Sequence, residues 1–343
     1  MHMDRKKILI INTGGTIGMV QTENGYAPQE GALIKELRQI RDLTSPDIPE
    51  WDLVEFDPLL DSTNIRYEQW NQIADTIADN YDTYDGFVVL HGTDTLAYSA
   101  SALSFMLEGL DKPVIFTGSQ IPLCELRSDG KDNLITSLII ASESVVNEVC
   151  LYFGNSLLRG NRSMKYSSDG IMAFTSPNWP ELARAGIDIE YIYPLMKRPD
   201  SDASSGLSVT RMKDCRLGVI KVFPGIRFDL FAPVVHENLD GLILETFGKG
   251  NIPEYDRTLI SLISEACSRG TAVVVVTQCP QGTVSLGAYE AGSALLEAGA
   301  ANGRNMTTEA AVTKLSYLLS KGLGPDGIHR LMETDLRGEL TQA

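Results

Sequence analysis

The chain has 343 residues, 43% hydrophobic and 22% charged, with a net charge of −16 from 45 acidic and 29 basic residues. Such a length and composition suit a globular protein with one large domain or two ordinary ones. The acidic balance, with no sizeable Lys/Arg cluster, argues against nucleic acid or an anionic membrane as partner and leaves a small-molecule substrate. Five cysteines, at 124, 150, 215, 267 and 279, show no CxxC spacing and only four histidines are present, so free thiols and no metal are expected. No cofactor is implied. There is no charged-then-apolar leader and no apolar run near the roughly 18 residues of a membrane span, so a cytoplasmic location is expected.

In chain order, near-continuous Val/Ile/Leu runs at 8–11, 87–90, 114–117 and 149–153 read as strands buried on both faces of a parallel sheet. Between them, Leu33, Ile34, Leu37 and Ile40 share one helical face, as do Leu96, Ala100, Leu103 and Leu107. Residues 197–210 (KRPDSDASSGLSVT) are polar, contain Pro, Ser and Gly, and have no period, which reads as a linker. Beyond it come strand runs at 217–223, 242–244 and 272–276. Helical stripes follow the same plan at Leu259, Ile260, Ile263 and Ala266, and at Val312, Leu315 and Leu319. The alternation predicts an α/β fold. Its larger N-terminal domain (1–196) has a mainly parallel sheet flanked by helices. The linker is 197–210, and 211–343 forms a smaller C-terminal α/β domain, also with a parallel sheet.

Polar residues just beyond the strands carry the chemistry, because ligands of open parallel sheets gather at the strands' carboxyl ends. The first strand runs into Thr13-Gly-Gly-Thr-Ile-Gly18. This is neither the G-x-G-x-x-G dinucleotide fingerprint nor a P-loop ending in Gly-Lys-Ser/Thr. Alone, it reads as a tight turn. The strand at 87–90 runs into His91-Gly-Thr-Asp-Thr95. Helix capping by Asp94 or Thr95 accounts for one of these residues and not for the cluster. Two Gly-flanked, Thr-rich loops at one sheet edge predict a shared pocket with hydroxyls and a carboxylate.

With these segments the chain resembles the bacterial-type L-asparaginases and glutaminase–asparaginases, whose hallmark TGGTI and HGTDT stretches stand here at 13–17 and 91–95. The resemblance continues through Asp61-Ser62, Thr117-Gly-Ser-Gln120, Gly160-Asn-Arg162 with Lys165, Thr277-Gln-Cys279 and Leu336–Thr341, essentially the whole chain. The TGGTIGM form is similar to the cytoplasmic, type I branch. The resemblance implies an amidohydrolase that splits L-asparagine into L-aspartate and ammonia through an acyl-threonine intermediate. Thr16 matches its nucleophile, and Thr93, Asp94 and Lys165 its second hydroxyl–carboxylate–amine group. Lys165 then either takes or relays a proton or supplies positive charge. Tyr26 matches the tyrosine of a mobile lid over 19–30. Asp94 would face the substrate's α-ammonium and Ser62 its α-carboxylate, with backbone N–H groups near Asp61–Ser62 and Thr93 as donors. Asn251 matches a residue contributed across a subunit interface, which implies a homotetramer built as a dimer of dimers.

One position departs from the pattern. The effector site of some type I members has an arginine after the Leu-Ile-Leu strand, where this chain has Glu245. A carboxylate there would repel an α-carboxylate, which makes that allostery doubtful; the cysteine of Thr-Gln-Cys that the same site involves is present as Cys279, which on its own reads as a small buried residue. Three other readings fit the residues less well. The glutamine-hydrolysing subunit of a tRNA-dependent amidotransferase conflicts with the acidic charge. A catalytically silent amino-acid-binding protein conflicts with the intact Thr16, Thr93, Asp94 and Lys165 set. A nucleotide-binding oxidoreductase lacks its fingerprint.

Overall fold

The computed structural model describes residues 5–23, 25–197, 206–236, 239–255, 258–287 and 290–342. The backbone divides into two compact units, Met1–Val209 and Thr210–Ala343. Of the connection expected at 197–210, residues 198–205 lie outside the described residues.

Unit 1 begins with β1 (Lys7–Gly14), an antiparallel hairpin of β2 (Met19–Thr22) and β3 (Gly25–Pro28), and the short helix α1 (Ala32–Leu37). Then come β4 (Glu50–Leu60), α2 (Tyr67–Asp79), β5 (Gly86–Leu90), α3 (Leu96–Met106), β6 (Leu107–Glu108), β7 (Val114–Thr117) and α4 (Gly130–Glu143). The unit closes with β8 (Val149–Phe153), β9 (Ser156–Arg159), β10 (Met164–Lys165), β11 (Phe174–Thr175), β12 (Ala183–Ala185), β13 (Ile189–Tyr191) and β14 (Ser208–Val209). Eight of these strands form one sheet, in the order β13-β12-β9-β8-β7-β5-β1-β4. From β8 to β4 every pairing is parallel; from β8 to β13 every pairing is antiparallel.

The apolar runs are buried for the expected reason. Ile8 and Ile10 pack with Val88, Leu90 and Ile115 and with Leu134 and Leu138 of α4. Their neighbours Leu9 and Ile11, turned to the opposite face by the strand's period of two, are equally buried. Each such side chain contributes roughly 1.5–3 kcal/mol, so a run covered on both faces needs no polar alternation.

Three features of unit 1 depart from the sequence expectations. Strand β4 is the longest of the sheet, yet because it is the edge all its residues but Phe56 are exposed or half-buried; it holds no apolar run to betray it. Helix α1 stops at Leu37, and Ile40 leads instead into a 3-10 turn. Helix α3 is buried almost all round, with Ser99 and Ser101 as deep as its leucines, so the expected stripe understates its coverage.

Unit 2 contains β15 (Leu217–Lys221), α5 (Ala232–His236), β16 (Gly241–Thr246), α6 (Thr258–Ser268) and β17 (Ala272–Thr277). It ends with α7 (Glu290–Glu297), β18 (Ala301–Asn302), α8 (Thr308–Ser320) and α9 (Pro325–Met332). Its sheet is parallel throughout, in the order β15-β16-β17-β18. Helix α8 is rotated from the predicted stripe: Leu315 is fully buried, but Val312 and Leu319 are half-buried while Ala310, Ala311, Lys314 and Leu318 turn inward. Lys314 can do so because Glu339, itself fully buried, meets its ammonium at 2.5 Å. No helix among the described residues is long and apolar enough to cross a membrane.

Candidate active site

The strand order brings the motif loops together. In β4-β1-β5-β7 the parallel strands end at Leu60, Gly14, Leu90 and Thr117, with Gly14 opposite Leu60 and Leu90 opposite Thr117. The segments Asp61-Ser62, TGGTIG, HGTDT and Thr117–Gln120 therefore leave one sheet edge side by side, as the crevice rule for open sheets requires.

Glycine lets these loops touch. Gly14 and Gly15 have φ values of +116° and +85°, a region that L side chains avoid. A Cβ on Gly14 would overlap the Leu60 backbone, and one on Gly15 would overlap the N and Cα of Gly92. One on Gly92 would run into the Ser62 side chain. Thr13 hangs its hydroxyl on the carbonyl of Leu90 at 2.9 Å, tying β1 to β5. Beyond the two glycines, Thr16 opens a 3-10 turn, is half-buried, and its Oγ1 has no hydrogen-bond partner among the described residues. The loop thus presents one hydroxyl and anchors the other.

Lys165 reaches the site from the small antiparallel β10-β11 pair. Its Nζ donates to Thr93 Oγ1 at 2.9 Å and to Asp94 Oδ1 at 2.6 Å. Thr93 is 6% exposed, the Lys165 side chain 21% and that of Asp94 58%, so the hydroxyl is deep and the carboxylate rims the opening. The Thr93 hydroxyl donates in turn to Gln120 Oε1 at 3.0 Å. Such a set pairs a cation with a hydroxyl on the loop whose Gly92 lies against Gly15, the residue before Thr16.

The other predicted positions are placed as follows. Ser62 is buried against Gly92, and its carbonyl accepts the Thr95 hydroxyl at 2.8 Å. The exposed Asp61 carboxylate caps the next turn by accepting the Thr63 N–H at 3.0 Å. Tyr26 lies on the β2-β3 hairpin, 46% exposed, with its hydroxyl on Glu125 at 2.8 Å; that carboxylate pushes the phenol's pKa up. Asn251 lies in unit 2, in a turn closed by its bridge to Phe247. Glu245, also in unit 2, accepts the Thr308 hydroxyl at 2.5 Å with Lys221 at 3.7 Å. Cys279 is exposed and not buried, because it follows the end of β17 in a bend where its N–H meets Thr277 Oγ1.

Two supporting residues escaped the sequence reading. His91 is fully buried at the root of HGTDT. Its Nδ1 faces the Gly92 carbonyl at 2.7 Å and must carry the proton, while Nε2 accepts from Ser99, which accepts from Trp70 Nε1–H. Burial pushes its pKa down to about 4, so it is a neutral strut for the loop. Asp129 accepts the backbone N–H groups of Gln120 and Ile121, and Asn133 Nδ2–H. Gln120 stands in the Thr117–Gln120 stretch that carries the resemblance, at the end of β7, but no role was read for it. Asp129, nine residues further on, carries no such signal.

The chain is similar to known proteins over nearly its whole length. Residues 7–197 match the family described as Asparaginase, N-terminal, and residues 216–332 match the Glutaminase/Asparaginase C-terminal domain. The chain is 46% identical to L-asparaginase 1 of Escherichia coli (strain K12) over 339 residues, 99% of each chain. Among solved structures it is similar to L-asparaginase I from Vibrio cholerae, at 45% identity and TM-score 0.90 over 98% of this chain and 100% of that one. It is also similar to the thermostable L-asparaginase from Thermococcus kodakarensis, at 33% identity and TM-score 0.88, again over 98% and 100%.

Proposed function

The chain belongs to the asparaginase family, and from that premise we propose that it hydrolyses L-asparagine to L-aspartate and ammonia by way of a covalent threonine ester. The observation that carries this reading is the contact of Gly15 with Gly92, which sets Thr16, the next residue, beside the loop whose Thr93 and Asp94 hold Lys165. Thr16 Oγ attacks the side-chain amide carbon, and its proton passes to the departing nitrogen as the C–N bond breaks. Water then attacks the ester, releasing aspartate and returning the proton to Thr16. Lys165, held by Asp94, supplies positive charge beside the Thr93 hydroxyl and so stabilises the charge that develops in both steps. Backbone N–H groups of Thr16 and Thr93 serve the oxyanion. The α-ammonium of the substrate pairs with Asp94, and its α-carboxylate with Ser62 and the N–H groups near Asp61. Tyr26 closes over the bound amino acid on its hairpin.

In this reading 1–196 is the catalytic domain, 197–210 the connection and 211–343 the second domain, supported by the matched ranges 7–197 and 216–332. The working form is a cytoplasmic homotetramer, a dimer of dimers in which Asn251 completes a partner's site, and no cofactor enters the scheme. The full-length similarity to L-asparaginase 1 favours this over an amidotransferase subunit or a silent binding protein. Ammonia release from L-asparagine is the test: Thr16→Ala should abolish it without changing the melting curve, and retained turnover would sink the nucleophile assignment. Light scattering addresses the assembly, since a fully active monomer rules out a shared site.

A further inference from the structure

Gln120 holds the second hydrogen bond of the site's buried hydroxyl, beside the one from Lys165. Its Nε2 donates to the carbonyls of Ser168 at 2.9 Å and Gly170 at 3.1 Å. Both partners are pure acceptors, so the amide can face only one way, with Oε1 toward Thr93 at 3.0 Å. An amide oxygen only accepts, so the Thr93 proton lies on that line. The Lys165 ammonium only donates, so it meets a Thr93 lone pair. The bonds run in one sense, from Lys165 to Thr93 to Gln120. The backbone of Gln120 is pinned as well, its N–H on both Asp129 oxygens at 3.1 and 3.0 Å.

We propose that Gln120 is a positioning residue for the reaction. By holding the Thr93 proton away from Lys165, it keeps the remaining Thr93 lone pair as an acceptor for a reacting hydroxyl or water. Through Ser168 and Gly170 it also anchors the segment that follows Lys165. This inference rests on the asparaginase reading.

Two substitutions separate the roles. Gln120→Met removes acceptor and donor alike; Gln120→Glu keeps the acceptor for Thr93 but turns a carboxylate on the Ser168 and Gly170 carbonyls. Positioning of Thr93 predicts that Gln120→Met lowers kcat on L-asparagine about tenfold or more, with KM within about threefold of wild type. Gln120→Glu should then be the faster of the two. Anchoring alone predicts the reverse order, because the carboxylate repels both carbonyls. The inference is overturned if Gln120→Met keeps kcat within about twofold of wild type, or if Gln120→Glu is no faster than Gln120→Met. Gln120→Ala replaces Gln120→Met should the latter lose its melting transition. Wild-type protein that releases no ammonia overturns the functional reading and this inference with it; an active wild type with the wrong variant order overturns only the inference.

Discussion

Lys165 meets Asp94 at 2.6 Å in unit 1, and Lys314 meets Glu339 at 2.5 Å in unit 2, yet the two pairs have opposite surroundings. Lys314 and Glu339 are both 0% exposed. The Lys314 ammonium also donates to the carbonyls of Met332 and Thr334, so its three N–H groups are used within the fold. Glu339 accepts the N–H groups of Leu336 and Arg337. Burial pushes the Glu339 carboxyl up, but Lys314 and those N–H groups outweigh it and hold it below its ordinary range. Among the described residues Lys165 has two partners, one a hydroxyl, and its pair opens to solvent through Asp94. Near-identical ion-pair lengths therefore do not set the role. What decides is whether the cation keeps a donor free for a ligand.

The largest effect that would sharpen this contrast is on turnover. Lys165→Met should lower kcat by about a thousandfold, the scale of a lost proton-handling and charge-stabilising group. Its melting temperature should hardly move, because a partly exposed pair contributes only about 0–1 kcal/mol. A near-normal rate would remove Lys165 from the site. In unit 2 the outcome should invert. Lys314→Met leaves Glu339 buried and uncompensated, which costs about 3–5 kcal/mol in denaturant unfolding. The kcat of its folded fraction should match wild type, and a drop in kcat at unchanged stability would break the comparison.

A third, smaller effect separates the units by pH. A base whose folded-state pKa is depressed stabilises the fold at high pH, so the His91 contribution is whole above about 6.5 and fades toward about 4. The shift corresponds to about 3 kcal/mol. The depressed Glu339 carboxyl contributes above its ordinary value of 4.5 and loses that only as the pH falls through its lower folded-state value. Hydrogen exchange should find β5 and the HGTDT loop loosening between pH 6.5 and 4.5, with β16 and α8 still protected; the opposite order contradicts the assignment. The smallest effect lies at the start of α8, where Thr307 accepts the Ala310 N–H at 3.1 Å. Thr307→Ala should lower unfolding stability by about 1 kcal/mol, read from the denaturant midpoint, with kcat unchanged.

What could be read without coordinates was local. Continuous Val/Ile/Leu runs announced β1, β5, β7, β8, β16 and β17, since burial on both faces is written into their composition. The paired TGGTI and HGTDT segments named the family, and the strand-end rule gave both loops one edge. Tertiary structure decided the rest. The order β4-β1-β5-β7 seats Ser62, Gly15, Gly92 and Gln120 in succession, and strand neighbours depend on packing between distant segments. Lys165 joins Thr93 across 72 positions of sequence, and only the fold can supply that proximity. Lys314 reads as a surface residue until Glu339 arrives 25 residues later to neutralise it in the core. Hydrophobic period and backbone freedom belong to a residue and its neighbours; the partner of a charge or a hydroxyl belongs to the whole chain.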